Sequence, residues 1–162
     1  MPSLFTKSQD QNPDISVHLL EDTENGVGVT DKIYPDCIDD DLVQEFDRSG
    51  SRPDGTWPYF EAEYDDSTSH YSFIPLESSD IDMFAREGKE YFTTREWHVS
   101  HCLFTWKKQF RALSNGRSIE PWNNNEEHIK HCSDYILEAM RSGSRLDDVE
   151  TLILGVDRHK HE

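Results

Sequence analysis

The sequence predicts a small, mainly helical α+β domain, and three observations support this fold class. The pattern His-x-x-His-Cys occurs twice, at residues 98–102 and 128–132, each time inside a stretch whose apolar residues recur at helical spacing. Between residues 56 and 76 the chain is rich in aromatic residues with partial alternation, which favours a short β-hairpin. A length of 162 residues suits one domain with a real core.

The elements before the motifs follow from local signals. Residues 1–12 are polar and are expected to form a disordered tail, with the single domain spanning 13–162. The three carboxylates of residues 39–41 resemble a site for a hard cation, but they better fit the cap of a short helix over Leu42, Val43 and Phe46.

Two predicted strands follow, at Thr56–Tyr64 and His70–Leu76, and the turn-forming residues 65–67 lie between them. A helix is expected over Ser79–Glu87 and ends at Gly88. Three tyrosines in this region either line a substrate pocket or serve as core and edge aromatics, and the second interpretation is favoured: Tyr59, Tyr64 and Tyr71.

Each His-x-x-His-Cys motif is predicted to lie on a helix. For the first helix, Thr93 would be the N-cap with Glu96 three residues later, and Gly116 would end it. For the second, Asn124 would cap and Gly143 would stop the helix. The predicted apolar stripes are Val99, Cys102, Leu103, Trp106, Phe110 and Leu113 in one helix, and Ile129, Cys132, Ile136, Ala139 and Met140 in the other.

At about 100° per residue, each motif cysteine falls within its stripe and the histidines fall along one border of it. Because the offset is the same in both helices, packing the stripes together would place both histidine pairs beside one seam. The sequence therefore predicts His98, His101, His128 and His131 as metal ligands and catalytic residues. Cys102 and Cys132 are expected to be buried against each other, as small apolar residues or disulfide partners, with thiolate ligation as the alternative.

Imidazole ligands suit copper, which stands highest in the divalent affinity order, and zinc and iron remain possible on ligand type alone. One four-coordinate ion would leave no open position, whereas two ions with two imidazoles each would leave open coordination positions. Three further histidines could add ligands, although no spacing selects among them: His70, His159 and His161.

The doubled motif, with Asp134 and Tyr135 just after its second copy, resembles the fungal UstYa-like oxidase family of natural-product biosynthesis. The resemblance covers roughly residues 88–162, and more weakly 33–57. It implies a copper-dependent oxidase that tailors a fungal secondary metabolite or ribosomal peptide by oxidative cyclisation, hydroxylation, desaturation or halogenation. It also implies that the four motif histidines are the ligands.

The chain departs from that family in three respects. Relatives tend to end with a His-x-Cys element, whereas this chain stops at His161 and Glu162. Relatives commonly carry a cysteine about ten residues after the second motif, where this chain has Ser142. They also carry a membrane helix, and no apolar run here approaches the roughly 18 residues needed. A trimmed, membrane-anchored member would belong to the secretory-pathway lumen, and a natively soluble one to the cytoplasm.

Charge and composition restrict the partners. A net charge of −17 argues against nucleic acid, so the expected partner is a small-molecule or peptide substrate, with a homo-oligomer left open. Two alternative functions are also compatible with the sequence. One is a metal-independent cyclase or isomerase that uses the motif histidines as acid and base, and the other is a structural zinc module.

Overall fold

The computed structural model describes residues 37, 39–121 and 123–154, so the predicted tail at 1–12 and two of the extra histidines, His159 and His161, lie outside the described residues. The described chain forms a single α+β domain in which helices hold more residues than strands, as predicted. In chain order the elements are α1 (Asp40–Asp47), β1 (Tyr59–Asp65), β2 (His70–Leu76), α2 (Ser78–Arg86), β3 (Glu90–Thr94), α3 (Arg95–Asn115), α4 (Glu126–Ser142) and β4 (Val149–Leu154).

The predicted hairpin is confirmed as β1 and β2, which pair antiparallel from Tyr59 opposite Leu76 to Asp65 opposite His70. The Asp65 carboxylate accepts a hydrogen bond of 2.8 Å from the backbone N–H of Ser67, as expected of an Asx turn. The first strand begins at Tyr59 and not at Thr56, because the preceding residues belong to a tight loop.

Two further strands complete an antiparallel sheet of order β2-β1-β3-β4, and neither was predicted. β3 holds two aromatic residues in five and β4 ends in three apolar residues, and stretches this short cannot be told from helix segments by periodicity alone. Strand β3 continues directly into α3, and α4 leads into β4. The backbone N–H of Arg95 donates to Asp148 O at 3.0 Å, so the start of α3 is bonded to the segment that enters β4.

Both predicted N-caps of the motif helices are wrong by one residue. The cap of α3 is Thr94, whose hydroxyl accepts from the Trp97 N–H, while Thr93 belongs to β3 and donates its hydroxyl to Pro58 O. The cap of α4 is Asn125, which accepts from the His128 N–H at 2.7 Å. In each case neighbouring residues of the same type compete, and the strand or loop before the helix decides which one caps.

The ends of the motif helices and the start of α1 agree with the sequence, whereas α2 spans Ser78–Arg86, one residue earlier at each end than predicted. Gly116 and Gly143 end α3 and α4 in left-handed conformations, with φ of 65° and 66°. Asp39 caps α1, and its carboxylate also pairs with Arg111 at 2.6 Å. The three carboxylates of residues 39–41 therefore begin a helix, which is the interpretation that the sequence favoured over a cation site.

The hydrophobic core lies where the sheet meets the helices. It is built from Trp57, Leu76, Phe84, Tyr91, Trp97 and Ile153, with Phe46, Tyr59 and Ile81 packed against it. Within the described residues, none of the helices is both long and apolar enough to cross a membrane.

The predicted packing of the apolar stripes is wrong. Leu103, Phe110 and Leu113 of α3 are exposed, as are Ile129 and Met140 of α4. The buried side of each helix instead centres on the motif itself, with His98, Cys102 and Thr105 buried in α3 and His128, Cys132 and Tyr135 buried in α4. Each helix therefore packs against the other through the side that carries its histidines. That side is rotated by about 100° about the helix axis from the middle of the apolar stripe.

Candidate metal centre

Helices α3 and α4 are antiparallel, and side chains from both line the seam between them. Arg95 at the start of α3 donates to Ser142 at the end of α4, whereas Gln109, further along α3, donates to the backbone of Asn123 just before α4. Between these contacts a disulfide joins Cys102 to Cys132, with Cα atoms 5.3 Å apart and both residues buried. The prediction that these cysteines are buried against each other is confirmed, and they are partners in a disulfide.

The structure brings the four motif histidines together as two cross-helix pairs. The Nε2 atoms of His98 and His131 are 3.2 Å apart, with ring centroids at 5.3 Å. The rings of His101 and His128 form the second pair, with centroids 6.1 Å apart. Each pair joins the first histidine of one motif to the second histidine of the other, as antiparallel packing of a repeated motif requires. The pairs are neighbours, since His128 and His131 have centroids 6.5 Å apart.

The seam shields these imidazoles from water. His98 and His128 are buried, and His101 and His131 are partly exposed. The Nε2 atom of His101 is itself buried, and no described group hydrogen-bonds to it. Burial, together with the nearby His128, His131 and Lys108, lowers the pKa of His101 to about 3. This imidazole is therefore neutral at pH 7, which is the form that binds a metal.

An aromatic ring backs one histidine of each pair. Trp97 stacks on His101 with centroids 5.0 Å apart and planes 4° apart. The indole N–H of Trp97 donates to the Tyr59 hydroxyl at 3.3 Å, which connects this stack to β1. Of the three tyrosines considered for a pocket, only Tyr59 is near the histidines, whereas Tyr64 and Tyr71 are exposed and pack on each other.

Tyr135 backs the other pair. Its ring lies on His98 with centroids only 3.7 Å apart, and its hydroxyl donates to Glu150 of β4. Glu150 in turn forms an ion pair with Arg95. Burial and the hydrogen bond to Glu150 raise the pKa of Tyr135, so the phenol stays protonated. Sequence reasoning did not assign this residue a role, although it lies seven residues after His128, on the same helix face.

A buried ion pair lies on α3 beyond the histidines. Lys108 Nζ contacts Glu120, a loop residue whose side chain is fully buried. The second carboxylate oxygen, Oε2, is buried, and no described group hydrogen-bonds to it. Glu120 was missed because a single glutamate in a loop carries no periodic signal, and only the fold encloses it.

The four imidazoles fit a metal in donor type, and one pair also fits in distance. A zinc or copper ion bound at about 2.0–2.1 Å would hold two tetrahedral nitrogen ligands about 3.3 Å apart, close to the 3.2 Å between His98 Nε2 and His131 Nε2. Among the described residues, however, no three His, Cys, Asp or Glu side chains stand close enough together to hold an ion. The fit is thus to pairs of imidazoles and not to a closed four-ligand site.

The described residues also include a third cysteine, Cys37, and one of the three further histidines considered as ligands, His70. His70 is exposed at the hairpin turn, where its Nδ1 contacts the backbone oxygen of Thr68. Cys37 is buried and is not part of the disulfide. Because Cys102 and Cys132 are joined to each other, the alternative of thiolate ligation does not agree with the described geometry.

Comparison with known proteins found no matching family, no matching curated protein and no matching solved structure. The resemblance to UstYa-like oxidases therefore rests on the doubled motif and the residues beside it.

Proposed function

We propose that this protein is a metal-dependent oxidase, with copper as the metal, that modifies a small-molecule or peptide natural product. The observation that carries the proposal is the pairing of motif histidines across the α3–α4 seam, above all the 3.2 Å between His98 Nε2 and His131 Nε2. Four histidines from two copies of one motif meet in one partly water-excluded place, where imidazole is the ligand type that suits copper.

The pairwise arrangement favours open coordination. His98 and His131 would hold one ion, and His101 and His128 lie beside them as the second pair. Two imidazoles leave positions free for oxygen or substrate, whereas a closed site of four ligands would be typical of a structural zinc module. Copper bound there would supply one-electron chemistry with oxygen.

The protein's own residues orient the ligands and exclude water. Trp97 and Tyr135 fix the planes of His101 and His98, and burial keeps His101 neutral. The disulfide holds the two helices at the level of the histidines. His131 and His101 retain partial exposure, so a substrate would approach from their side of the seam.

The pKa of His101 favours ligation over acid–base catalysis by this residue. A general base works best with a pKa near the working pH, and a pKa of about 3 lies far below neutrality. A metal ligand has the opposite requirement, because a neutral imidazole binds without competition from protons. Acid–base catalysis by His101, which the metal-independent cyclase would need, is therefore less favoured than metal ligation.

The disulfide also supports an oxidising compartment. Such bonds form and persist in the secretory pathway and outside the cell, and they are rare in reducing cytosol. We therefore propose the lumen of the secretory pathway as the location, in keeping with the family resemblance. Expression with and without an oxidising environment, followed by thiol counting, tests this.

Copper binding by ligand variants tests the proposal. We expect the purified protein to bind Cu(II), and His98→Ala or His131→Ala to lose most of the affinity. His70→Ala is the matched control, because this exposed histidine lies at the hairpin turn and should leave affinity unchanged. Equal copper retention in all three variants would reject the ligand assignment.

The reaction class needs a separate experiment. Copper-loaded protein should consume oxygen in the presence of a reductant beyond the rate of the same amount of free copper, and chelation should abolish this consumption. If metal-stripped protein turned over a substrate fully without oxygen, the oxidase proposal would be rejected in favour of the metal-independent cyclase. Tight zinc binding without any oxygen consumption would instead identify a structural module.

A further inference from the structure

Among the described residues, the ring of Tyr135 makes the closest aromatic contact to a motif histidine. Its centroid is 3.7 Å from that of His98, with planes 24° apart, whereas the Trp97–His101 stack has centroids 5.0 Å apart. Tyr135 is buried, at 6% exposure, so the ring cannot swing into solvent. Any rotation of the His98 imidazole about its long axis has to displace this ring.

A residue of the sheet holds Tyr135 in place. The Tyr135 hydroxyl donates to Glu150 Oε1, while Glu150 Oε2 pairs with Arg95 Nη2. Arg95 Nη1 then donates to Ser142 Oγ at 3.1 Å, at the end of α4. One connected set of polar contacts thus joins β4, the start of α3 and the end of α4 to the ring that lies on His98.

The motif repeat makes this arrangement asymmetric. Tyr135 lies seven residues after His128, and the equivalent residue, seven after His98, is Thr105. Thr105 is buried but has no ring to stack on an imidazole. The two histidine pairs therefore have different surroundings despite identical motif residues, and the described distance of 3.2 Å between imidazole nitrogens belongs to the His98–His131 pair.

We propose that Tyr135, anchored by Glu150 and Arg95, is a positioning residue that fixes the imidazole of His98 and so makes the His98–His131 pair the tighter of two copper sites. Outer contacts that orient a ligand typically contribute 10–100-fold to metal affinity. The contact itself is independent of any metal, while its consequence for copper rests on the function proposed above.

Two substitutions separate the roles of ring and hydroxyl. Tyr135→Phe keeps the ring and removes the anchor to Glu150, and Tyr135→Leu removes the ring. We expect Tyr135→Leu to weaken the tighter Cu(II) site about 10–100-fold and to change its EPR hyperfine splitting. Tyr135→Phe and Glu150→Gln should change the same spectrum with a smaller loss of affinity.

Matched controls use a tyrosine far from the seam. Tyr64 is exposed on β1, so Tyr64→Leu should leave affinity and the EPR spectrum as in the wild type. If Tyr135→Leu fails to fold, Tyr135→Phe and Glu150→Gln carry the test. Wild-type spectra and affinities in both would overturn the positioning role.

A measurement on metal-free protein keeps this inference separate from the copper proposal. The stacked Tyr135 ring should shift the NMR signals of the His98 ring protons upfield, and Tyr135→Leu should remove that shift while Tyr64→Leu does not. If the wild type binds no copper but shows the upfield NMR shift, the proposed copper function is rejected and the Tyr135–His98 contact is supported. If copper binds but neither the NMR shift nor the EPR spectrum changes in the Tyr135 variants, only the positioning role of Tyr135 is rejected.

Discussion

Cys102 and Cys132 join α3 to α4 immediately beside the second histidine of each motif, with their Cα atoms 5.3 Å apart. Each cysteine is buried, so the bond lies inside the seam that also contains the histidines. The one covalent link between the described elements is thus placed where a relative shift of the helices would most disturb the histidine pairs.

Reduction of this disulfide should lower the free energy of unfolding. The bond closes a sequence separation of 30 residues, for which the chain-entropy estimate is about 3.7 kcal/mol. Urea unfolding with and without reductant measures the difference. The Cys102→Ala/Cys132→Ala double variant should be insensitive to reductant, whereas Cys37→Ala should keep the sensitivity. Equal stability of the oxidised and reduced wild type would contradict this prediction.

Acid should destabilise the metal-free protein through His101. Its pKa is about 3 in the folded state and near 6.5 when unfolded, so between these values the unfolded chain binds more protons. Stability from this group is present above pH 6.5 and is lost as the pH falls towards 3, by about 2 kcal/mol between pH 7 and pH 5. Urea unfolding at both pH values measures it. In His101→Asn, the change in the free energy of unfolding between pH 7 and pH 5 should be smaller by that amount than in the wild type. An equal change in both proteins would show that His101 is not the cause of the acid sensitivity.

Breaking the ion pair between Lys108 and Glu120 should be costly. Glu120 is fully buried and Lys108 mostly so, and Lys108→Met would leave a buried carboxylate without its cation. We expect a loss of about 3 kcal/mol, which Glu120→Gln in the same chain should partly restore. Thermal or urea unfolding gives the values. The matched control is Lys107→Met on the same helix, because the Lys107–Glu45 pair is exposed and should contribute at most about 1 kcal/mol.

Alanine at Gly50 should be far more damaging than alanine at Gly116. A Cβ on Gly50 would lie 2.1 Å from the backbone oxygen of Thr56, and backbone cannot move aside as a flexible side chain does. A Cβ on Gly116 meets nothing within 4 Å, so only its left-handed φ of 65° opposes substitution, at about 1–2 kcal/mol. Gly50→Ala should cost about 3 kcal/mol or more in the free energy of unfolding. Equal losses would show that the loop opens easily.

Local signals predicted the four described helices and the hairpin. The glycines at 116 and 143 mark helix ends because they can adopt positive φ, and Asp39 marks a start because its carboxylate accepts backbone N–H groups. The hairpin was predictable from alternating aromatic residues on both sides of an Asp-rich turn. Strands β3 and β4 were not, because pairing between residues 90–94 and 149–154 joins segments far apart in the chain.

By itself, the sequence determined the doubled motif, its helical setting and the identity of the four histidines, since these depend only on residue type and spacing. The tertiary structure decided which side of each helix is buried. Helix periodicity locates an apolar stripe but does not say what packs on it, and here the disulfide and the histidine side occupy the seam while Phe110 and Met140 face outwards. It also decided the surroundings of the histidines. Tyr135 reaches Glu150 and His98 only because β4 and α3 are folded onto α4, and no spacing within one helix encodes contacts among three elements.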